Sequence, residues 1–297
     1  RELRCRILTF LGWIPDGIML RIQYWLQTGR VLNIKNPKRF TEKLQVYKLK
    51  YRNPKMLRCT DKYEVRKYIE DLGLGEYLIP LIGVYNNVDD ISYKELPSQF
   101  VAKSTNGGGG NQVLVCSDKA SLSESEFITK VGGWMSVPKA KKTAGREWAY
   151  MNGFERRIIV EKLLGDGLSD IPDYKFYCFN GEPKYCQLIQ NRTKDETIDF
   201  YDMEWEHMPF YGLNPLHGPI AKSAATPTSK PKHYEEMKAI AEKLSKDYPF
   251  VRVDLYDTPD GVFFGELTFY PASGYGVFNP DEYDFRLGEL LDCEDFV

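Results

Sequence analysis

"FVRVDLYDTPDGVFFGELTFY", residues 250 to 270, sets two runs of alternating character around the turn signal Thr-Pro-Asp-Gly. The spacing predicts a β-hairpin with a three-residue loop, Pro259-Asp260-Gly261, in which a type I turn is followed by a left-handed glycine. That loop pairs Thr258 with Val262, Asp254 with Glu266 and Arg252 with Thr268. Side chains alternate between the faces of a strand, so Arg252, Asp254, Glu266 and Thr268 share one face. Val251, Val253, Leu255, Phe263, Leu267 and Phe269 line the other. Two carboxylates directly opposed, roughly 5 Å apart at Cβ, repel unless positive charge lies between them. A divalent cation answers this, and oxygen ligands without His or Cys favour Mg²⁺, which usually arrives with phosphates. A solvated polar face is the other reading of the hairpin alone.

Upstream, "VAKSTNGGGGNQVLV" at residues 101–115 places four glycines between two strand-like runs, with Lys103 ending the first. Consecutive glycines let backbone amides approach a phosphate closely, and a lysine adds a point charge. This is not a Walker loop, because its lysine precedes the glycines and a strand follows them. A flexible hairpin turn remains the alternative. "TDKYEVRKYIEDLGLG" at 60–75 reads as a helix, with Asp61 and Glu64 spaced as a cap and its return partner and Lys62 on the first turn. "RRIIVEKLL" at 156–164 is a buried strand ending in Glu161, and "DYKFYCFNGEPKYCQLIQ" at 173–190 is a hairpin turning at Asn180-Gly181. "SLSESEFITKVGG" at 121–133, with Ser and Glu in capping-box spacing ahead of Phe127, and "HYEEMKAIAEKLSKDY" at 233–248 read as amphipathic helices. Residues 202–232 read as a loop, and residues 281–297 as a helix and solvated tail. Strands and helices mix mostly as antiparallel hairpins, which predicts an α+β fold in two lobes.

The chain has 297 residues, 42% hydrophobic and 28% charged, ordinary for a soluble globular protein. Its apolar runs break well before the ~20 residues a membrane span needs. Six widely spaced cysteines without a C-x-x-C pair read as reduced thiols of a cytoplasmic protein. Through Lys67 there are 17 basic and 5 acidic residues, against 23 and 37 in the rest. Such a basic front suits an anionic glycan, an anionic membrane surface, or a solvated helical face. Nucleic acid is not expected, since aromatics and basic residues do not interleave. His207, His217 and His233 read as surface residues, and Ser273 in "YPASGYG" as a turn or substrate contact.

Lys62 at a helix start, Lys103 before a glycine flap, Glu161 at a strand end, and Asp254 with Glu266 near the C-terminus resemble, in that order, the ATP-grasp fold. More specifically, "NPKRFTEKLQVYKL", "DKYEVRKYI", "FVAKSTNGGGGN", "RIIVEKLL", "DYKFYCFNGEP", "VRVDLY" and "GELTFYP" resemble the TupA-like branch, from about Asn36 to about Gly276. That branch is associated with capsule, teichuronopeptide and other polysaccharide synthesis. The resemblance implies two α+β lobes clasping ATP behind a helical N-terminal segment. The division is residues 1–60, an α/β part at 61–100, a small lobe with the flap at 101–164, and a large lobe with the metal site at 165–297. It implies Lys62 and Lys103 on the nucleotide phosphates, Gly107, Gly108, Gly109 and Gly110 as the flap, and Glu161 near adenine and ribose. The resemblance also implies that the backbone of Lys162 and Leu163 reads the adenine edge. By the same resemblance Asp254 and Glu266 match the magnesium ligands, with Thr268, a weaker donor for a second metal, where many ATP-grasp enzymes carry an Asn. Lys175 and Arg252 are candidates for the γ-phosphate and the reacting carboxylate. The implied activity is ATP- and Mg²⁺-dependent carboxylate-amine ligation, joining an amino acid or small amine to an anionic saccharide through an acylphosphate. The setting is the cytoplasm, with peripheral association at the inner membrane face. A sugar phosphotransferase and a nucleotide-sugar glycosyltransferase are the alternatives.

Overall fold

The hairpin quoted first forms one edge of a six-stranded antiparallel sheet. The computed structural model describes residues 10–108, 112–136, 144–165, 167, 170–218, 222–293 and 296. Among these the α-helices are α1 (Asp16–Thr28), α2 (Phe40–Lys50), α3 (Lys55–Cys59), α4 (Glu64–Asp71), α5 (Glu124–Met135), α6 (Trp148–Met151), α7 (Tyr234–Ser245) and α8 (Glu282–Glu289). The strands are β1 (Leu81–Tyr85), β2 (Phe100–Ser104), β3 (Val113–Cys116), β4 (Ile158–Glu161), β5 (Asp173–Phe179), β6 (Glu182–Gln190), β7 (Thr197–Tyr201), β8 (His207–Met208), β9 (Tyr211–Asn214), β10 (Phe250–Thr258), β11 (Gly261–Thr268) and β12 (Val277–Asn279). The large sheet runs β11-β10-β5-β6-β7-β8. A four-stranded sheet runs β1-β4-β2-β3, and β12 pairs with β9. Helices interposed between antiparallel hairpins make the fold α+β.

Local chemistry accounts for the elements. Asn180 and Gly181 both take positive φ, 50° and 83°, the two-residue turn that matches the twist of β5 and β6. Ser123 and Glu126 form the capping box of α5, whose Phe127, Val131 and Trp134 cover Phe100, Leu114, Ile158 and Val160 of the small sheet. α7 buries Met237, Ile240, Ala241 and Leu244 against the large sheet. Phe40, first residue of α2, meets the rings of Phe179 and Phe250 edge-on at 5.7 and 5.0 Å. Each such contact contributes about 0.5–1.5 kcal/mol beyond its buried area and ties the N-terminal helices to the large sheet.

The β10–β11 hairpin has a shorter loop than its sequence predicts. Pro259-Asp260 alone turns the chain, Thr258 pairs with Gly261, and Leu255 with Phe264. Gly265 is then left unpaired as a bulge, which restores the expected register, so Asp254 still faces Glu266 and Arg252 still faces Thr268. A Cβ on Gly265 would meet the Asp254 carbonyl at 3.0 Å and the Tyr256 ring at 3.1 Å, so a side chain there would crowd the bulge. The bulge also moves Phe263 off the core face, where Val262 and Phe264 stand instead.

Three further expectations are corrected. Residues 202–232 carry β8 and β9 rather than loop alone. At α4, Asp61 accepts from the N–H groups of Tyr63 and Glu64, but Glu64 turns to Arg157 at 2.8 Å instead of back to Asp61. The C-terminal segment is not a solvated tail, since Tyr283, Asp284, Leu287, Leu291 and Phe296 are buried. Asp284 accepts from the Thr41 N–H at 2.9 Å and its hydroxyl at 2.8 Å, while Asp281 holds Arg30 at 2.5 Å and Arg39 at 2.7 Å. Part of the basic front is thus neutralised by the acidic end of the same chain.

Candidate active site

The small sheet and α4 supply one wall of the site. Lys62 stands in the turn before α4, its N–H on the Thr105 carbonyl at 2.8 Å and its Nζ on the Gly107 carbonyl at 2.5 Å. The lysine thus grips the start of the glycine loop. Burial lowers its pKa and Lys103 adds to this, while Glu266, Asp61 and Glu161 oppose it. β2 and β4 pair Lys103 with Ile159, which brings the Lys103 ammonium to the Glu161 carboxylate at 2.7 Å. Arg66 reaches the other Glu161 oxygen at 3.2 Å. Arg66 was not singled out from the sequence, although it lies one helical turn past Lys62 in "DKYEVRKYI" and so on the same face.

The large sheet supplies the opposite wall. Arg252 holds Asp254 in a two-pronged pair, Nε to Oδ1 and Nη2 to Oδ2 both at 2.7 Å, and extends Nη2 to the Thr268 hydroxyl at 3.0 Å and Glu266 at 3.4 Å. Lys175, opposite Asp254 across the β5–β10 ladder, closes on the same carboxylate and on Asp173 at 2.7 Å. Burial pushes the Asp254 carboxyl up, but Arg252 and Lys175 outweigh it and hold the group below its usual range. The repulsion between Asp254 and Glu266 is therefore answered by protein cations, so it does not by itself call for a metal.

One cavity of about 700 Å³ lies between these walls, lined among others by Lys62, Gly107, Gly108, Arg252, Glu266 and Thr268. A narrow adjoining cleft shares Lys62 and Gly265 with it and holds Lys103, Glu161 and Arg66. Lys175 and Asp254 lie buried behind the cavity and do not line it. Lys162 is mostly exposed, with its N–H on the Pro80 carbonyl at 2.9 Å, and neither it nor Leu163 lines either space. Gly109 and Gly110 lie outside the described residues. A larger, shallower depression over Asn180–Lys184 and Lys238–Lys246 carries none of these groups.

The donor set suits a hard cation in one respect: Glu266 and Thr268 present only oxygen to the cavity, with Asp254 directly behind. Among the described residues no cluster of three or more His, Cys, Asp or Glu forms a metal cage. Mg²⁺ is commonly bound without one, through one or two carboxylates plus phosphate oxygens and waters, and the set fits that mode.

At the far end of the cavity Ala272, Ser273 and Gly274 take successive left-handed conformations, φ 46°, 56° and 63°. For Ala and Ser this costs about 1–2 kcal/mol each, and side chains hold the turn in place. Lys48 donates to the Ser273 carbonyl at 2.6 Å, Gln45 to the Gly274 carbonyl at 2.9 Å, and the Ser273 hydroxyl to Glu147. Lys48 is buried over the Tyr275 ring, and that burial brings its pKa down to about 8, with Glu147 partly countering. The native state therefore releases this proton near pH 8, whereas the unfolded chain keeps it to about 10.5. The cost of charging Lys48 is fully present at neutral pH and is relieved as pH rises between those values. Relative to Lys48→Met, the wild type should gain about 2 kcal/mol of unfolding free energy between pH 8 and 9.5, read by urea titration. Parallel pH dependences would show that the native state keeps the Lys48 proton as firmly as the unfolded chain does. The sequence offered no sign of this lysine, because its partners lie some 225 residues away.

Two antiparallel sheets facing a cavity lined by a helix-start lysine, a glycine loop and a carboxylate-bearing hairpin make an ATP-grasp fold. The family is the TupA-like ATP-grasp family: its model matches residues 42–292, and the chain belongs to it. The structure is also similar to D-alanine–D-alanine ligases from Helicobacter pylori (17% identity, TM-score 0.40, 79% of this chain and 61% of that one) and Bacillus anthracis (15%, 0.46, 80% and 66%). A RimK-domain ATP-grasp protein from Sphaerobacter thermophilus is similar at 12% identity, TM-score 0.41, over 79% of this chain and 67% of that one. The chain thus spans about two thirds or less of the length of these solved structures. No curated protein matches the chain.

Proposed function

We infer that the chain is an ATP-dependent carboxylate-amine ligase that joins an amino acid or small amine to a uronic-acid-type saccharide in capsule or cell-surface polysaccharide synthesis. The observation that carries this reading is the convergence of Lys62, the Gly107-Gly108 loop, Arg252, Glu266 and Thr268 on one cavity from two sheets. The polysaccharide setting is supported by the family alone. When bound, ATP with Mg²⁺ supplies the phosphoryl group that turns an unreactive carboxylate into an acylphosphate, from which an amine displaces phosphate. Lys62 and Lys103 would neutralise the phosphates, Glu266 would hold the metal with Asp254 behind it, and Arg252 would orient the acid. Lys175 acts through Asp254 and Arg252, since it does not reach the cavity. Glu161, in the adjoining cleft, would face the adenine and ribose. The glycine loop excludes water that would hydrolyse the acylphosphate. Cys59, Cys116, Cys178, Cys186 and Cys293 are unpaired, which suits a reducing cytoplasm.

A panel of uronic acids and amino acids, assayed for ADP release, tests the reading. Release should need acid and amine together. Release with a saccharide and no amine would identify a phosphotransferase. Thermal stabilisation by Mg-UDP-sugar but not Mg-ATP would identify a glycosyltransferase.

A further inference from the structure

α1 carries apolar residues on both of its faces. Its inner face buries Met19, Leu20 and Tyr24, and sets Gln23 and Gln27 in the cavity wall. Gln23 is fixed there by donating to the Ala144 carbonyl at 2.8 Å and accepting from the Tyr275 hydroxyl at 2.6 Å. The outer face presents Ile18, Ile22, Trp25 and Leu26, between 44% and 58% exposed, at the i, i+4, i+7, i+8 spacing of a single stripe. Trp13 and Phe10, 76% and 80% exposed, continue it beyond the helix start. Isolated exposed apolar residues are ordinary, but a contiguous stripe with two tryptophans marks a docking surface.

Charge identifies the occupant. Between Asp16 and Glu42 the sequence has no carboxylate and five cations: Arg21, Arg30, Lys35, Lys38 and Arg39. Arg30 and Arg39 are held by Asp281 and Asp284, which leaves Arg21 exposed on α1 and Lys35 and Lys38 exposed on the segment that follows it. A second copy docking through the same face would bring like charge against like. An anionic lipid surface complements the cations, takes the aliphatic side chains into its acyl boundary, and seats tryptophan at headgroup depth. Among the described residues no helix is long and apolar enough to cross a membrane, so α1 lies on the surface rather than spanning it. We propose that α1 docks its outer face on an anionic membrane, with the cavity that Gln23 and Gln27 line on the other side of the same helix. The active site then sits one helix diameter, ~10 Å, from the lipid.

The test is co-sedimentation of the full chain with vesicles of phosphatidylcholine alone or with 30 mol% phosphatidylglycerol, at about 0.1 M salt. The expected result is at least tenfold stronger binding to the anionic vesicles, and at least a tenfold loss in Ile22→Glu/Trp25→Glu. Brominated lipid should quench the tryptophan fluorescence of the wild type, which needs no variant to fold, and Trp25→Phe should reduce the quenching. A wild type that stays in the supernatant, a double variant that binds like wild type, or absent quenching would overturn the proposal. So would a wild-type dimer that the double variant converts to monomer without vesicle binding, since the face would then belong to a second copy. None of these readouts involves ATP, so a failure here leaves the ligase reading standing.

Discussion

Glu266→Gln should reduce ATP-dependent turnover about 10²–10³-fold while leaving thermal unfolding almost unchanged. The side chain is 48% exposed, lines the cavity, and meets Arg252 only at 3.4 Å. Such a contact contributes at most about 1 kcal/mol to stability. Glutamine keeps the shape and one oxygen but removes the negative charge that a metal–phosphate complex needs at that wall. Steady-state ADP release beside a melting curve reads both quantities. Undiminished turnover would remove Glu266 from the metal site.

Asp254→Asn should have the opposite signature, a stability loss of about 3–5 kcal/mol and a fall in Tm of roughly 6–10 °C. Asp254 is 1% exposed and lies between the Arg252 guanidinium and the Lys175 ammonium, and Asn would leave two buried cations short of one anion. Because Asp254 is held below its usual range, its stabilisation is complete above the ordinary Asp pKa and is lost as pH falls through the folded value. Acid should therefore narrow the gap between wild type and Asp254→Asn. Lys175→Met in the Asn background should recover part of the loss, a coupling read in a double-mutant cycle. Additive effects would show that the pair does not share the carboxylate.

The contrast between these two carboxylates marks the limit of what was legible in the sequence. Alternation in residues 250–270 placed Asp254 opposite Glu266, although the loop was read one residue too long. Gly265 resembles any strand glycine, and only the paired backbone shows that its bulge restores the register. The cations that neutralise Asp254 were harder to see. Lys175 reaches it through β5–β10 pairing across 79 residues, a non-local contact that no period reports. Capping and turn chemistry, being local, were read correctly at Ser123–Glu126 and Asn180-Gly181. The charge imbalance between front and rest was visible, but its partial cancellation through Arg30, Arg39, Asp281 and Asp284 required the fold. Lys62 and Lys103 were both singled out, yet the fold puts Lys62 on the cavity and Lys103 against Glu161 in the adjoining cleft. α1 carries apolar residues on both faces, and only the fold shows which of them meet solvent.

The central claim is transfer of a phosphoryl group to a carboxylate before an amine attacks. Its most direct test uses a uronic acid that supports ADP release, labelled with ¹⁸O in the carboxyl group, with the amine present and the released phosphate read by ³¹P NMR. An acylphosphate path moves one carboxyl oxygen into each phosphate, so the isotope-shifted signal should appear in proportion to ADP formed. Unlabelled phosphate accompanying full ADP release would contradict the account.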